Sequence, residues 1–329
     1  MNIVVTGSIA TDHLMTFPGK FADSIVADKL DRISLSFLVD QLEVRRGGVA
    51  PNICFGMAAL GFTPVLVGAV GPDFADYRSW LERHGVDTDS VHVSQVHQTA
   101  RFICTTDDDA NQLASFYAGA MSEARDIELD PVVARIGGVD LVVIGANDPD
   151  GMLRHTDECR ARGFAFAADP SQQLARMEGA EIRRLIDGAA YLFTNEYEAA
   201  LTEQKTGWSA AEIADRVQCR VTTLGAQGAR IERAGEAPVK VECLAESSVV
   251  DPTGVGDAFR AGFLAGLGLG LTDERCAQLG SLLATLVIET VGTQEYQVSD
   301  ADIHHRLTAA YGAEPAAEIT SRLSLRPSA

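Results

Sequence analysis

Short apolar runs alternate with helix-like stretches along most of this chain, and that alternation limits its fold more than any other feature. Buried strands joined by crossover helices build a parallel sheet, because each helix must carry the chain back to start the next strand. Ile3-Val4-Val5-Thr6-Gly7 reads as the first such strand. From Pro51 to Leu60 the apolar residues fall at helical spacing, with proline early in the helix and Gly61 just past its end. Pro64-Val65-Leu66-Val67-Gly68 then resumes as strand and completes one βαβ unit. Similar strands are predicted at 140–144, 164–168, 191–194 and 221–224, each separated from the next by a helical pattern. With 46% hydrophobic residues in 329, the chain can bury one large core, with room for an appendage. The expected fold class is α/β, a doubly wound and mostly parallel sheet.

Residues 11–46 and 98–119 break the rhythm. Ala100–Thr106 and Gln112–Ala118 alternate around Asp107-Asp108-Asp109-Ala110-Asn111, the pattern of a hairpin. The predicted organisation is a core of 1–10, 47–97 and 119–329, with a small β lid of 11–46 and 98–118 inserted into it. Covering segments of this kind exclude water from a reaction. From Ala313 a last helix is expected, then a loose end at Pro327-Ser328-Ala329.

Composition removes several classes of partner. Lys plus Arg number 27 against 46 Asp plus Glu, a net charge of −19, which opposes nonspecific binding to nucleic acid or an anionic membrane. No basic lead is followed by a long apolar run, and no window holds the roughly 20 apolar residues of a membrane span. The expectation is a soluble, cytoplasmic protein. Its six cysteines form no CxxC pair and read as reduced core residues, and its seven histidines form no spaced ligand set.

Asp251-Pro252-Thr253-Gly254-Val255-Gly256-Asp257-Ala258-Phe259 is the most informative stretch, since a helix follows it. A glycine-rich turn at a helix start points backbone N–H groups outward at the positive end of the dipole, which suits a phosphate. Asp257 within that turn is either a general base for an attacking hydroxyl or a first-turn residue favoured by the dipole. Two other phosphate motifs are absent: the one Gly-Lys pair is followed by Phe21, so there is no P-loop, and Phe259 stands where a dinucleotide fingerprint requires its third glycine.

These residues resemble the PfkB, or ribokinase, family of kinases. Asp251–Phe259 looks like its C-terminal signature, with Val255 where alanine is commoner, and Gly47-Gly48-Val49-Ala50-Pro51-Asn52 looks like its N-terminal one. Gly7 with Asp12, the NxxE element Asn195-Glu196-Tyr197-Glu198, and Thr223-Leu224-Gly225-Ala226-Gln227-Gly228 follow the family in order. The resemblance implies a ribokinase-like fold and, in Asp257, the catalytic base. It implies an anion hole of Gly254, Val255, Gly256 and Asp257 N–H groups, which matches the needs of a loose phosphoryl-transfer transition state. Asn195 and Glu198 would hold Mg²⁺ through water, and Asn195, Thr223, Gly225 and Gly228 would meet ATP. By their chemistry alone, Asn195 and Glu198 fit helix capping and a solvated surface equally, and the glycines fit a tight turn. Asp251, Thr253 and Gly292 occupy places where family members bind a monovalent cation such as K⁺.

The acceptor side is less constrained. Asp12 can accept two hydrogen bonds from vicinal hydroxyls or cap a turn, Gly48 permits close backbone approach, and Asn52 offers donor and acceptor. If the hairpin turns at Asp109, Phe102 and Phe116 stand opposite each other on one face. In a chain with 13 Phe, 6 Tyr and 2 Trp, such a pair either stacks on a base or packs the lid or a dimer contact. Gln172 and Gln173, after Asp169-Pro170-Ser171, offer amides to a base edge or form ordinary helix-start chemistry with Ser171. Within the family the chain resembles an actinobacterial-type adenosine kinase, notably in TGSIATDH, LSFLVD, ASFYAGAMSEAR and FAADPSQQLAR. That resemblance implies a nucleoside site of Ser8, Asp12, Gly48, Asn52, Phe102, Phe116, Gln172 and Gln173, with Ser36 reaching across a homodimer formed by the lids. The expected activity is ATP- and Mg²⁺-dependent phosphorylation of the adenosine 5′-hydroxyl. A ribokinase- or fructokinase-like sugar kinase is the alternative, and a non-catalytic nucleoside-binding regulator a more distant one.

Overall fold

The computed structural model describes residues 1–24 and 35–325. Its main sheet has eight strands, in the order Val239–Val241, Ala229–Glu232, Cys219–Thr223, Tyr191–Asn195, Phe166–Ala168, Leu141–Ile144, Ile3–Thr6 and Val65–Val67. The six strands from Cys219–Thr223 to Val65–Val67 are parallel, as the alternating pattern predicts. Two antiparallel strands extend one edge and were not anticipated; they are short, and Arg230, Glu232 and Lys240 interrupt their apolar pattern.

Strand alternation sends side chains into two separate cores, which is what doubly wound means physically. Ile3 and Val5 pack with Ile53, Phe263 and Leu283 on one face. Val4 packs with Val142, Met152 and Ile182 on the other. The crossover helices are bounded by local chemistry. Helix Pro149–Arg162, for example, is capped by the Asp148 carboxylate accepting from the Gly151 N–H, starts on Pro149, and ends at left-handed Gly163. Successive strands step outward in opposite directions from the boundary between Ile3–Thr6 and Leu141–Ile144. Beyond the carboxyl ends of strands at such a reversal the connecting loops diverge and leave a crevice.

A second sheet stands off this core, in the order Gln41–Gly47, Ala10–Thr16, Ala100–Thr106 and Gln112–Tyr117. The last two form the predicted hairpin, and Phe102 does pair with Phe116 in register. Asp107 organises its tip: the carboxylate accepts from the N–H groups of Asp109 and Asn111 and from Phe21 N–H in the other lid segment. The lid residues 25–34 and the end expected to be loose, 327–329, lie outside the described residues. Among the described residues no helix is long and apolar enough to cross a membrane. All six cysteines are free, and only Cys243 is not fully buried.

Replacing Asp107 with alanine removes the acceptor that organises the hairpin tip and ties it to Phe21, beside the strand pairing that also joins the two lid segments. Hydrogen–deuterium exchange should quicken across 100–117 in Asp107→Ala and stay unchanged in the Ile3–Thr6 and Leu141–Ile144 strands; equal protection of the hairpin would contradict this role.

Candidate active site

Two helix N-termini meet at the crevice. Gly48 precedes helix Val49–Ala59 at φ 100°, and a Cβ there would lie 2.5 Å from the Ser8 carbonyl oxygen. Gly254 precedes helix Val255–Gly268 at φ 76°, in the left-handed region, and no side chain caps that helix. The first-turn N–H groups therefore stay open to an anion. The predicted anion hole has this local form.

Asp257 sits in that first turn and accepts a hydrogen bond from Asn52 Nδ2 at 2.9 Å. Asn52 is itself fixed, since its Oδ1 accepts from Thr293 Oγ1 and Gln294 Nε2, both at 2.9 Å. Gln294 Nε2 also donates to the Tyr77 hydroxyl, which donates to the Gly47 carbonyl. Those two acceptor contacts determine which end of the Asn52 amide faces Asp257. Burial pushes the Asp257 carboxyl up to about 6; Arg260 and the Asn52 bond oppose the rise, and Glu198 adds to it. A carboxylate that titrates near neutrality and still ionises at working pH is suited to accept a proton.

The crevice holds about 290 Å³ and is lined by Ser8, Asp12, Gly48, Asn52, Gln172 and Gln173 from the sequence reading, together with Gly254 and Asp257. Gln173 is 5% exposed, and its amide oxygen has no partner among the described residues. Gln172 is exposed, its Oε1 accepting from Ser171 Oγ. Burial raises the Asp12 carboxyl, with Arg45 opposing and Asp251 reinforcing the shift. Phe116 lines the crevice and is 51% exposed, whereas Phe102 does not line it. Register does not explain the difference: Asp12, Phe102 and Phe116 form one cross-strand row, and the two rings make no stacking contact with each other among the described residues. The expected ring pair is thus a pair of backbone positions. Ser36 is exposed and lines no part of the crevice.

On the nucleotide side, Asn195 and Thr223 are in register at the carboxyl ends of adjacent strands. Asn195 caps helix Glu196–Thr206 reciprocally with Glu198: Glu198 N–H donates to Asn195 Oδ1, and Asn195 N–H to Glu198 Oε2, both at 2.8 Å. The capping alternative therefore holds, yet it leaves Glu198 Oε1 without a hydrogen bond among the described residues. One free carboxylate oxygen on a part-exposed side chain fits a Mg²⁺ that keeps most of its waters and binds mainly through phosphates. Gly225 and Gly228 form the tight turn that follows Thr223. Asp251, Thr253 and Gly292 come together through the Asp251 carboxylate, which accepts from the N–H groups of the other two. Burial works against the charge of Asp251, but those bonds and Arg45, 3.1 Å away, hold its carboxyl below the usual range.

Met121, Arg176 and Thr293 also line the crevice and carried no signal in the sequence, because single residues on loops show no periodicity. Asp169 and Arg260 lie behind it as a buried ion pair at 2.6 Å. An arginine inside the otherwise apolar Ala258–Leu264 run was the available clue, since a buried charge needs a partner.

The family model described as pfkB family carbohydrate kinase matches residues 11–300. The chain belongs to that family. A nucleoside kinase of Methanothermobacter thermautotrophicus is 29% identical over 293 residues, covering 88% of this chain and 93% of the relative. The structure of a Burkholderia thailandensis nucleoside kinase in complex with inosine superposes with a TM-score of 0.81 at 35% identity, covering 94% of this chain and 98% of that one. A ribokinase of Cryptococcus neoformans in complex with ADP, at 21% identity, shares the fold, with a TM-score of 0.77 over 91% of this chain and 98% of that one. The fold of this PfkB kinase is ribokinase-like.

If Asp257 is the base the resemblance implies, only its ionised form can accept a proton, and kcat/KM should rise with pH through a midpoint near 6. Asn52→Leu removes the donor that favours the ionised form. Its kcat/KM should fall by about tenfold or more, and its midpoint should move up; an unmoved midpoint would contradict the role given to Asn52.

Proposed function

We propose that this kinase transfers the γ-phosphoryl group of ATP to the 5′-hydroxyl of adenosine, giving AMP and ADP, a purine-salvage reaction. The observation that carries the nucleoside reading is Gln173, whose buried amide oxygen lacks a partner among the described residues, on the crevice wall that Phe116 also lines. A bare sugar near Asp12 would leave both unmatched, whereas a purine offers an edge to the amide and a face to the ring. Adenine presents an N6 amine that donates to such an oxygen. The relatives named nucleoside kinases support the same substrate class.

In the proposed reaction Asp12 accepts hydrogen bonds from the ribose diol, and Asn52 orients Asp257. The 5′-hydroxyl proton passes to Asp257 as its oxygen bonds to the γ-phosphorus, and the bond to the β,γ-bridging oxygen breaks with its electron pair leaving on ADP. N–H groups of the Gly254–Asp257 turn take the charge on the transferring group. Mg²⁺ bound with ATP supplies charge neutralisation, and Asn195 and Glu198 would hold it through water. Carbonyls near Asp251, Thr253 and Gly292 would take a monovalent cation. The cytoplasm, which supplies ATP and keeps cysteines reduced, is the proposed location.

The lid also proposes an assembly. Its face away from the crevice carries Leu42, Val44, Leu113 and Tyr117, all exposed, with Met15 and Ile103 in the same cross-strand rows. An apolar sheet face of this kind fits a second copy of itself, which would bring Ser36 near the partner's crevice. Light scattering should give twice the 35.0 kDa chain mass, and Leu42→Asp combined with Leu113→Asp should give the single mass. A monomeric parent protein would remove the dimer proposal.

ADP formation should be measured with adenosine, inosine, guanosine, ribose and fructose, each with K⁺ or Na⁺. Adenosine should be preferred, and Asp257→Asn should lose at least about 100-fold in turnover. Phe116→Ala should lose about tenfold in kcat/KM for adenosine and little for ribose, the loss expected from one stacking contact. Preference for a sugar would retain the machinery and reject the base subsite.

A further inference from the structure

Arg260 lies one turn beyond Asp257 on the same helix, at the i+3 position that places two side chains on one face. It is 7% exposed, and its Nη2 lies 2.6 Å from Oδ1 of Asp169, which is fully buried. Its guanidinium also folds back under the anion-hole turn: a Cβ on Gly256 would lie 2.7 Å from Arg260 Nη1. Glycine at 256 leaves room for that guanidinium, which a side chain there would displace. Arg260 Nε is buried without a hydrogen-bond partner among the described residues.

A buried ion pair is weak support for stability, because desolvating two charges often exceeds their attraction. Its place behind a reacting carboxylate is better explained by the field it exerts there. We propose that Arg260, anchored by Asp169, is a positioning residue that holds one buried positive charge beside Asp257 and Gly256 and so keeps the base ionised for the acceptor's proton. This role rests on the reading of Asp257 as the base. Asp169 is the last residue before Pro170-Ser171-Gln172-Gln173, so the same anchor ties the crevice's glutamine wall to the helix that carries the base.

Asp257 meets charges and titratable groups from several elements. Arg260 on its own helix favours the ionised form, as does the neutral donor Asn52, and Glu198 disfavours it. The buried Tyr296 phenol lies within the field of Asp257, and burial raises the Asp169 carboxyl, with Arg260 opposing the shift and Glu198 and Asp257 adding to it. Asp169, Asp257 and Glu198 together favour the charged form of Arg260 against the burial that opposes it.

The test is the pH dependence of kcat/KM for the nucleoside in three variants. Arg260→Gln should move the ascending limb to higher pH by about one unit or more, the usual effect of losing a neighbouring opposite charge. Arg260→Lys, which keeps the charge, should restore most of that shift. Asp169→Asn weakens the anchor, so the guanidinium is held less closely and the limb should move to higher pH, by less than in Arg260→Gln. A purely structural pair would instead lower the melting temperature and leave the limb in place in all three. An active Arg260→Gln with the parent limb would overturn the proposal. If Arg260→Gln does not fold, an unmoved limb in Asp169→Asn overturns it equally. Asp257→Asn separates the two readings: inactivity with unmoved limbs rejects only the role of Arg260, whereas retained turnover rejects Asp257 as the base.

Discussion

One hydrogen bond, from Asn52 to Asp257 at 2.9 Å, joins two helix N-termini that the chain separates by 205 positions. Each helix begins on a glycine with positive φ, so each can bring its backbone close to the crevice without a Cβ in the way. Both N-termini line the crevice, so the positive ends of both dipoles lie at its wall, where they favour an anion. Asn52 can hold Asp257 only because Thr293 and Gln294 occupy its carbonyl oxygen, and Gln294 in turn is bonded to Tyr77. The site is therefore a network in which each amide has one permitted orientation, and a free carboxylate is left facing the crevice.

The lid depends on the core through charge. Arg45 pairs with Asp251 at 3.1 Å, and Arg101 with Asp73 at 2.6 Å, each joining a lid strand to a core loop. Both pairs are partly shielded from solvent, so they exceed the small value of an exposed pair without the full desolvation penalty of a buried one. Arg45 is also the cross-strand neighbour of Asp12, so the residue that tethers the lid lies beside the residue proposed to hold the acceptor. Arg45 also favours the ionised form of Asp12 against the burial that raises its carboxyl.

Legibility varied with the kind of signal. Ile3–Thr6, Leu141–Ile144 and helix Val255–Gly268 could be read because burial on both sides of a parallel sheet demands continuous apolar runs and glycine marks helix starts. The hairpin register at Phe102 and Phe116 followed from the symmetry of its turn. Which ring lines the crevice did not follow, because register sets a side chain's face and not its neighbours across open space. Asn195 and Glu198 show a different limit. Their spacing is that of a capping box, and a capping box can also leave an oxygen for a hydrated metal, so one pattern serves two purposes.

By itself the sequence determined the alternation of the parallel strands with their helices, the glycine turns at Gly48 and Gly254 that run into helices, and the candidacy of Asp257, because these depend on periodicity and local backbone chemistry. Only the tertiary structure decided that Thr293 and Gln294 converge on the Asn52 amide, that Arg260 pairs with Asp169 rather than another acid, and that the Gln173 amide oxygen ends buried without a partner among the described residues. With 46 Asp and Glu available, nothing local selects a partner for a buried arginine. That selection is made when the sheet brings distant strand ends together, and burial then penalises every polar group that does not find its match.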